Sequence, residues 1–198
     1  IGEAEESCIP RHELASMRDV GSKIGKLVGP GSNVREGGSG EGIKTGLWRQ
    51  SLAMPRTYTA MDISEEILQA STKQLGERFP DLDVSCICAD FTEPFPRVVT
   101  FEASIPGKNL VYFPGSTLSN FEPDNAVQFL SEVQQLVSPQ GGLLIGIDLI
   151  QQDEVFGAAY NDSTGVTAAF NKNLLTRINR ELGADFDENS FRHQAFYN

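Results

Sequence analysis

Asn33 to Thr45, N-V-R-E-G-G-S-G-E-G-I-K-T, holds the residues whose types and spacing could do the most chemistry. Gly38, Ser39, Gly40 and Gly42 make a G-x-G-x-G run, and glycine at that density lets a backbone turn tightly and approach a ligand more closely than any Cβ permits. An ordinary turn uses glycine in the same way, so the run needs company. Asp62 stands 24 residues beyond Gly38, where a carboxylate at the end of a second strand accepts both hydroxyls of a ribose. Alone it reads equally as a helix N-terminal carboxylate beside Ser64, favourable to the helix dipole. Asp90 offers a carboxylate to an exocyclic amine and Phe91 an apolar wall to a flat ring, although that pair alone is also a common turn.

These residues need elements to position them. His12 to Val28 carries Leu14, Met17, Val20, Ile24, Leu27 and Val28 at the period of an amphipathic helix, which Gly29-Pro30-Gly31 stops. A short strand at Val34 to Gly37 runs into the glycine loop, and a helix follows from about Gly42 to Leu52. A second strand, Thr57 to Met61, ends at Asp62, and Ser64 caps a helix reaching Phe79. Asp83 to Ala89 reads as a third strand ending at Asp90, with buried thiols at Cys86 and Cys88, and Asn109 to Phe113 as a fourth. Pro123 opens a helix, and Leu143 to Ile150 is a fifth, near-continuously apolar strand. A short helix to about Tyr160, a longer one from Gly165 to Leu182 and the beginning of a strand at Phe191 to Tyr197 complete the chain.

Strands alternating with helices and lacking a polar face predict an α/β fold: a Rossmann-like, doubly wound, mainly parallel sheet, with ligands at the carboxyl ends of its strands. Residues 1–30 are expected to form an N-terminal segment and helix, 31–152 the ligand-binding core, and 153–198 the start of a second domain. The net charge of −11 repels phosphate backbones and anionic lipid, so neither nucleic acid nor membrane is an expected partner. No apolar run approaches membrane-helix length, and the chain reads as soluble and cytoplasmic; its sequence leaves the oligomeric state open, with a monomer favoured. Cys8, Cys86 and Cys88, with only His12 and His193 to help, fall short of a zinc site, and no metal is implied.

Two nucleotide-like ligands suit this layout. A dinucleotide site wants G-x-G-x-x-G, yet Ile43 stands where its third glycine belongs. The G-x-G-x-G form with an acid after strand two and an Asp-aromatic pair after strand three is the adenosine-binding pattern of S-adenosylmethionine-dependent methyltransferases.

A longer set of matches then appears. The runs E-G-G-S-G-E-G-I-K-T, D-I-S-E-E-I-L, A-D-F-T, F-P-G-S-T-L-S-N-F-E-P, G-I-D-L and A-A-Y-N-D-S-T-G-V-T-A-A-F-N-K-N-L-L-T-R-I-N-R-E-L-G-A-D-F resemble the L-histidine Nα-methyltransferases of ergothioneine biosynthesis. The resemblance covers nearly the whole chain. It implies S-adenosylmethionine as methyl donor, with S-adenosylhomocysteine as product, bound by Gly38, Ser39, Gly40, Lys44, Asp62, Asp90 and Phe91. It implies that Asn120 and Tyr160 hold the head of a small amino acid substrate, and that histidine is methylated on its α-amine towards the trimethyl betaine. No side chain is expected to act as a catalytic acid or base, because alignment and exclusion of water suffice. A sibling acting on another amino acid such as tryptophan, or a cofactor-binding module without turnover, are the alternatives.

Departures from the family pattern carry their own expectations. Arg35 and Gly37 stand where the family's first strand has apolar residues, which predicts a distorted strand. The segment around Cys8 lacks the tyrosines that reach the substrate in the family. The family pattern continues past Asn198 into the groups that grip the imidazole, so little activity is expected of these 198 residues alone.

Overall fold

The computed structural model describes residues 8–40, 52, 54–90, 105–137, 139–149, 157–158 and 160–196, with side chains from residue 12 onward. Asn109–Phe113 shows how its sheet is made. Successive side chains of a strand point to opposite faces. Leu110 and Tyr112 accordingly join Val34, Tyr58 and Ala60 in one buried cluster, while Val111 and Phe113 join Phe129, Val133 and Val137 in another. A strand apolar on both faces has to be covered on both, and this one is.

Numbered along the chain, the strands are β1 (Asn33–Gly37), β2 (Thr57–Asp62), β3 (Asp83–Cys88), β4 (Asn109–Phe113) and β5 (Gly142–Ile145). They pair in the order β3-β2-β1-β4-β5, every pair parallel. Helices α1 (Cys8–Val28) and α2 (Glu65–Arg78) bring Met17, Leu68 and Leu75 to the first cluster. Helix α3 (Pro123–Val137) covers the other face, where Phe129 lies with its ring centroid 4.6 Å from that of Phe113. Burying each of these large side chains contributes roughly 1.5–3 kcal/mol. This is the Rossmann-like parallel α/β sheet that the alternation of strands and helices predicts.

Local chemistry sets the element ends. The first turn of α2 carries Glu65 and Glu66, whose charges suit the positive end of the helix dipole. Gly29, at φ +81°, ends α1 with its N–H bonded to the Gly25 carbonyl at 2.9 Å. At the opposite end of the strands from the glycine loop, the Asn33 side chain donates to Asn109 Oδ1 and accepts from Thr57 Oγ1, tying β1 to both neighbours.

The chain divides into two compact units, Glu13–Asp148 and Ile1–His12 with Leu149–Asn198. The first holds the sheet. The second is built on helix α4 (Val166–Leu182), ended by Gly183 at φ +67°. Its helix start is held by Asp162, whose Oδ2 accepts the Val166 N–H at 2.8 Å and whose Oδ1 accepts the Thr167 N–H at 2.7 Å. Among the described residues no helix is long and apolar enough to cross a membrane.

Several expectations need correction. The distortion expected of β1 is absent: Arg35 keeps register with Thr59 and Val111 and retains partial exposure. Gly37 is what its neighbour requires, since a Cβ there would lie 2.9 Å from the ring carbon Cδ2 of Phe113. Cys86 and Cys88 are exposed rather than buried, because β3 is an edge strand. The fifth strand stops at Ile145, and its residues are half-buried at the other edge. Residues 191–196 form no strand. The Asn161 side chain takes both backbone groups of Ala195, with Nδ2 donating to its carbonyl at 3.0 Å and Oδ1 accepting its N–H at 3.1 Å, which leaves that residue nothing for a ladder.

Candidate active site

The sheet reverses its winding between β1 and β4, the point where open α/β sheets bind ligands beyond their strand ends. The glycine loop leaves β1 there. Gly38 and Gly40 adopt φ +70° and +50°, conformations that a side chain disfavours. The Gly38 N–H bonds the Met61 carbonyl at 2.9 Å, so the loop folds across the end of β2. Asp62 closes the cradle: Oδ2 accepts the Gly40 N–H at 3.1 Å and Oδ1 accepts the Ser64 N–H at 3.1 Å. Each oxygen has further lone pairs, and the residue is half-exposed, so a vicinal diol can still donate to both. The helix-terminus reading of Asp62 is met by the Ser64 bond, and the same carboxylate faces the glycine loop.

Beneath the loop lies a residue that sequence reasoning did not single out. Glu36 is 1% exposed and accepts the Tyr58 hydroxyl at 2.8 Å. Its register partner Tyr112 is also buried, with its hydroxyl donating to Met17 Sδ at 3.9 Å. Burial pushes the Tyr112 phenol well above its usual range, with the charges of Glu36 and then Glu13 adding to the effect. The signal was available: Glu36 shares a face of β1 with Val34 in a strand covered on both sides, and a carboxylate is buried there only with partners. Close by, Ser39 is 8% exposed and its Oγ has no hydrogen-bond partner among the described residues.

The other expected residues fall in different places. Asp90 follows the end of β3, which is held beside Asp62 by the Ala89 N–H bonded to the Asp62 carbonyl at 3.1 Å. Asn120 ends the short 3-10 turn Thr117–Asn120 beyond β4 and is exposed. Tyr160 belongs to the second unit, 52% exposed, with its carbonyl accepting from His193 Nε2 at 2.7 Å. Lys44 and Phe91, like the helix expected from about Gly42 to Leu52, lie outside the described residues apart from Leu52. The structure thus brings Gly38, Ser39, Gly40 and Asp62 into one cradle with Asp90 at the adjoining strand end, and assigns Asn120 and Tyr160 to separate units. Among the described residues no cluster of His, Cys, Asp or Glu has a metal-binding arrangement.

The family model described as "Histidine-specific methyltransferase, SAM-dependent" matches residues 1–198. The chain belongs to this family. It is 33% identical over 95% of its length to a histidine N-alpha-methyltransferase of Mycolicibacterium smegmatis, and 34% identical over 81% to one of Mycobacterium tuberculosis. It spans 58% and 50% of those two proteins, about half the length of the curated relatives it matches. Among solved structures, the apo form of the S-adenosylmethionine-dependent methyltransferase SibL superposes with a TM-score of 0.50 at 17% identity, over 79% of this chain and 40% of that one. The family likeness is thus carried by sequence, and the structural likeness bears on the fold.

Proposed function

We propose that this chain is the cofactor-binding core of an S-adenosylmethionine-dependent N-methyltransferase acting on the α-amine of L-histidine, towards the trimethyl betaine. The observation that carries the reading is the Asp62 cradle, found at a sheet switch point in a chain matched along its length by a histidine-specific methyltransferase family. The relatives' names supply the amino acid.

The residues present fit the methyl donor. Asp62 would hold the ribose diol, Gly38 and Gly40 would let the backbone approach, and Ser39 has a buried hydroxyl to spend on a polar group. Glu36 places a buried carboxyl group directly before the loop. Lys44, Asp90 and Phe91 complete the set in this reading, while Asn120 and Tyr160 hold the amino acid. S-adenosylmethionine supplies a methyl group on a positively charged sulfur, already an excellent leaving group. The chain's own residues then have to align the amine and exclude water, an effect that can supply several kcal/mol, roughly 7–11 in the best intramolecular cases. The amine must be neutral to use its lone pair, and a neighbouring cation favours that form.

The test is to incubate the full-length protein with labelled methyl donor and each amino acid separately. Label in histidine alone is the expected result. Label in tryptophan or another amino acid instead would overturn the substrate, and no label in any amino acid would overturn the reaction.

A further inference from the structure

We propose that Glu13 is a positioning residue, whose carboxylate sets the turn carrying Asn120 and thereby the affinity for the amino acid substrate. The proposal rests on the reading above for the role of Asn120. Its geometry stands apart from that reading.

Glu13 and Met17 lie one turn apart on α1, and Met17 is already fixed against β4 by the Tyr112 hydroxyl. Glu13 reaches past that contact to the end of the strand. Its Oε1 accepts the Gly115 N–H at 2.8 Å, the first turn residue after Pro114. The same oxygen fills the space beside Gly146, where an added Cβ would collide with it. Gly146 in turn donates its N–H to the Phe113 carbonyl at 3.0 Å, just beyond the end of β5. One half-buried carboxylate therefore occupies the notch where β4 and β5 end.

What it holds is a strained turn. Ser116 sits at φ +58°, a left-handed conformation that a non-glycine residue keeps only when its surroundings enforce it. Its Oγ accepts the Asp148 N–H at 2.9 Å and shares a 2.8 Å hydrogen bond with Ser119 Oγ. Thr117 Oγ1 donates to the Pro114 carbonyl at 3.2 Å. These ties fix the turn to the β5 side and to itself. Glu13 adds the tie to α1, and it acts on the residue immediately before Ser116. Losing it frees the turn that ends at Asn120 while leaving the Asp62 cradle, on the other side of the switch point, untouched.

Gly146 makes the proposal testable from two directions, since Glu13→Ala removes the carboxylate and Gly146→Ala pushes it away. In the full-length protein, Glu13→Ala is expected to speed hydrogen exchange of the Gly115 to Ser119 amides about tenfold or more. It should raise KM for the amino acid about tenfold, with kcat and S-adenosylhomocysteine affinity within about twofold. Glu13→Gln keeps an accepting oxygen and should restore both readouts to within about threefold of the parent. Gly146→Ala should imitate Glu13→Ala, yet add little in the Glu13→Ala background, because its closest contact is gone and only the Gly115 nitrogen at 3.3 Å remains near the new Cβ. Unchanged exchange in Glu13→Ala, equal damage from the Gln variant, or additive effects of the two alanines would each overturn the proposal. A parent protein that methylates no amino acid would sink the functional reading instead, and the exchange experiment would still judge Glu13.

Discussion

Asp62 in the sheet unit and Asp162 in the helical unit close similar backbone turns, and they differ in what each carboxylate has left to give. Asp62 takes one N–H on each oxygen and stays half-exposed. Asp162 is buried and takes the Thr167 N–H on one oxygen, with the Val166 N–H and the Thr164 hydroxyl on the other. Hydrogen bonds from Thr164 and Thr167 hold its carboxyl well below the usual carboxylate range. Both are acids at the head of a helix, α2 and α4 respectively. Counting donors against exposure separates a carboxylate with room for further donors from one whose oxygens are already taken up by its own turn.

Removing each acid should break the comparison cleanly. The largest effect is expected from Asp62→Ala, which under the proposed function deletes the acceptor of two ribose hydroxyls. Hydrogen bonds to a charged group are worth about 1.5–3 kcal/mol each, so with two of them lost S-adenosylhomocysteine affinity measured by calorimetry should fall about 100-fold or more. Equal heats from parent and variant would show that Asp62 is only a turn residue. Asp162→Ala should do the reverse: a melting temperature lower by a few degrees, with cofactor affinity unchanged.

The smallest effect sharpens the same contrast through pH. Asp162 has a depressed pKa in the folded state, so its contribution to stability is present above the unfolded carboxylate value of about 3.9 and is lost as pH falls through the folded value. The difference in melting temperature between the parent and Asp162→Asn should hold steady from about pH 7 to pH 5 and narrow below about pH 4. A constant difference down to about pH 3 would show that the network does not depend on the charge.

Much of the architecture was legible because local rules and tertiary packing agree. The strand over Asn109 to Phe113 is found at its expected bounds, since β-branched and aromatic residues there have both faces to bury. Gly165 and Gly183 bracket α4 as expected, both at positive φ. The errors cluster where a neighbour decides. Cys86 and Cys88 lie in a strand of the right length, but β3 is at the sheet edge and leaves them exposed. The alternation after Phe191 meets Asn161, a side chain that takes the backbone bonds a strand would use.

The sequence by itself determined the α/β alternation, the glycine loop and the acid that follows it, because each rests on residues near one another in the chain or on a period that repeats. The family too was legible there, in runs that need no third dimension. Only the tertiary structure decided that Gly37 answers Phe113, that Glu36 is a buried carboxyl bonded to Tyr58, and that Glu13 reaches the turn before Asn120. Those are contacts between residues far apart in sequence, and their meaning depends on which side chain packing leaves in the same small volume.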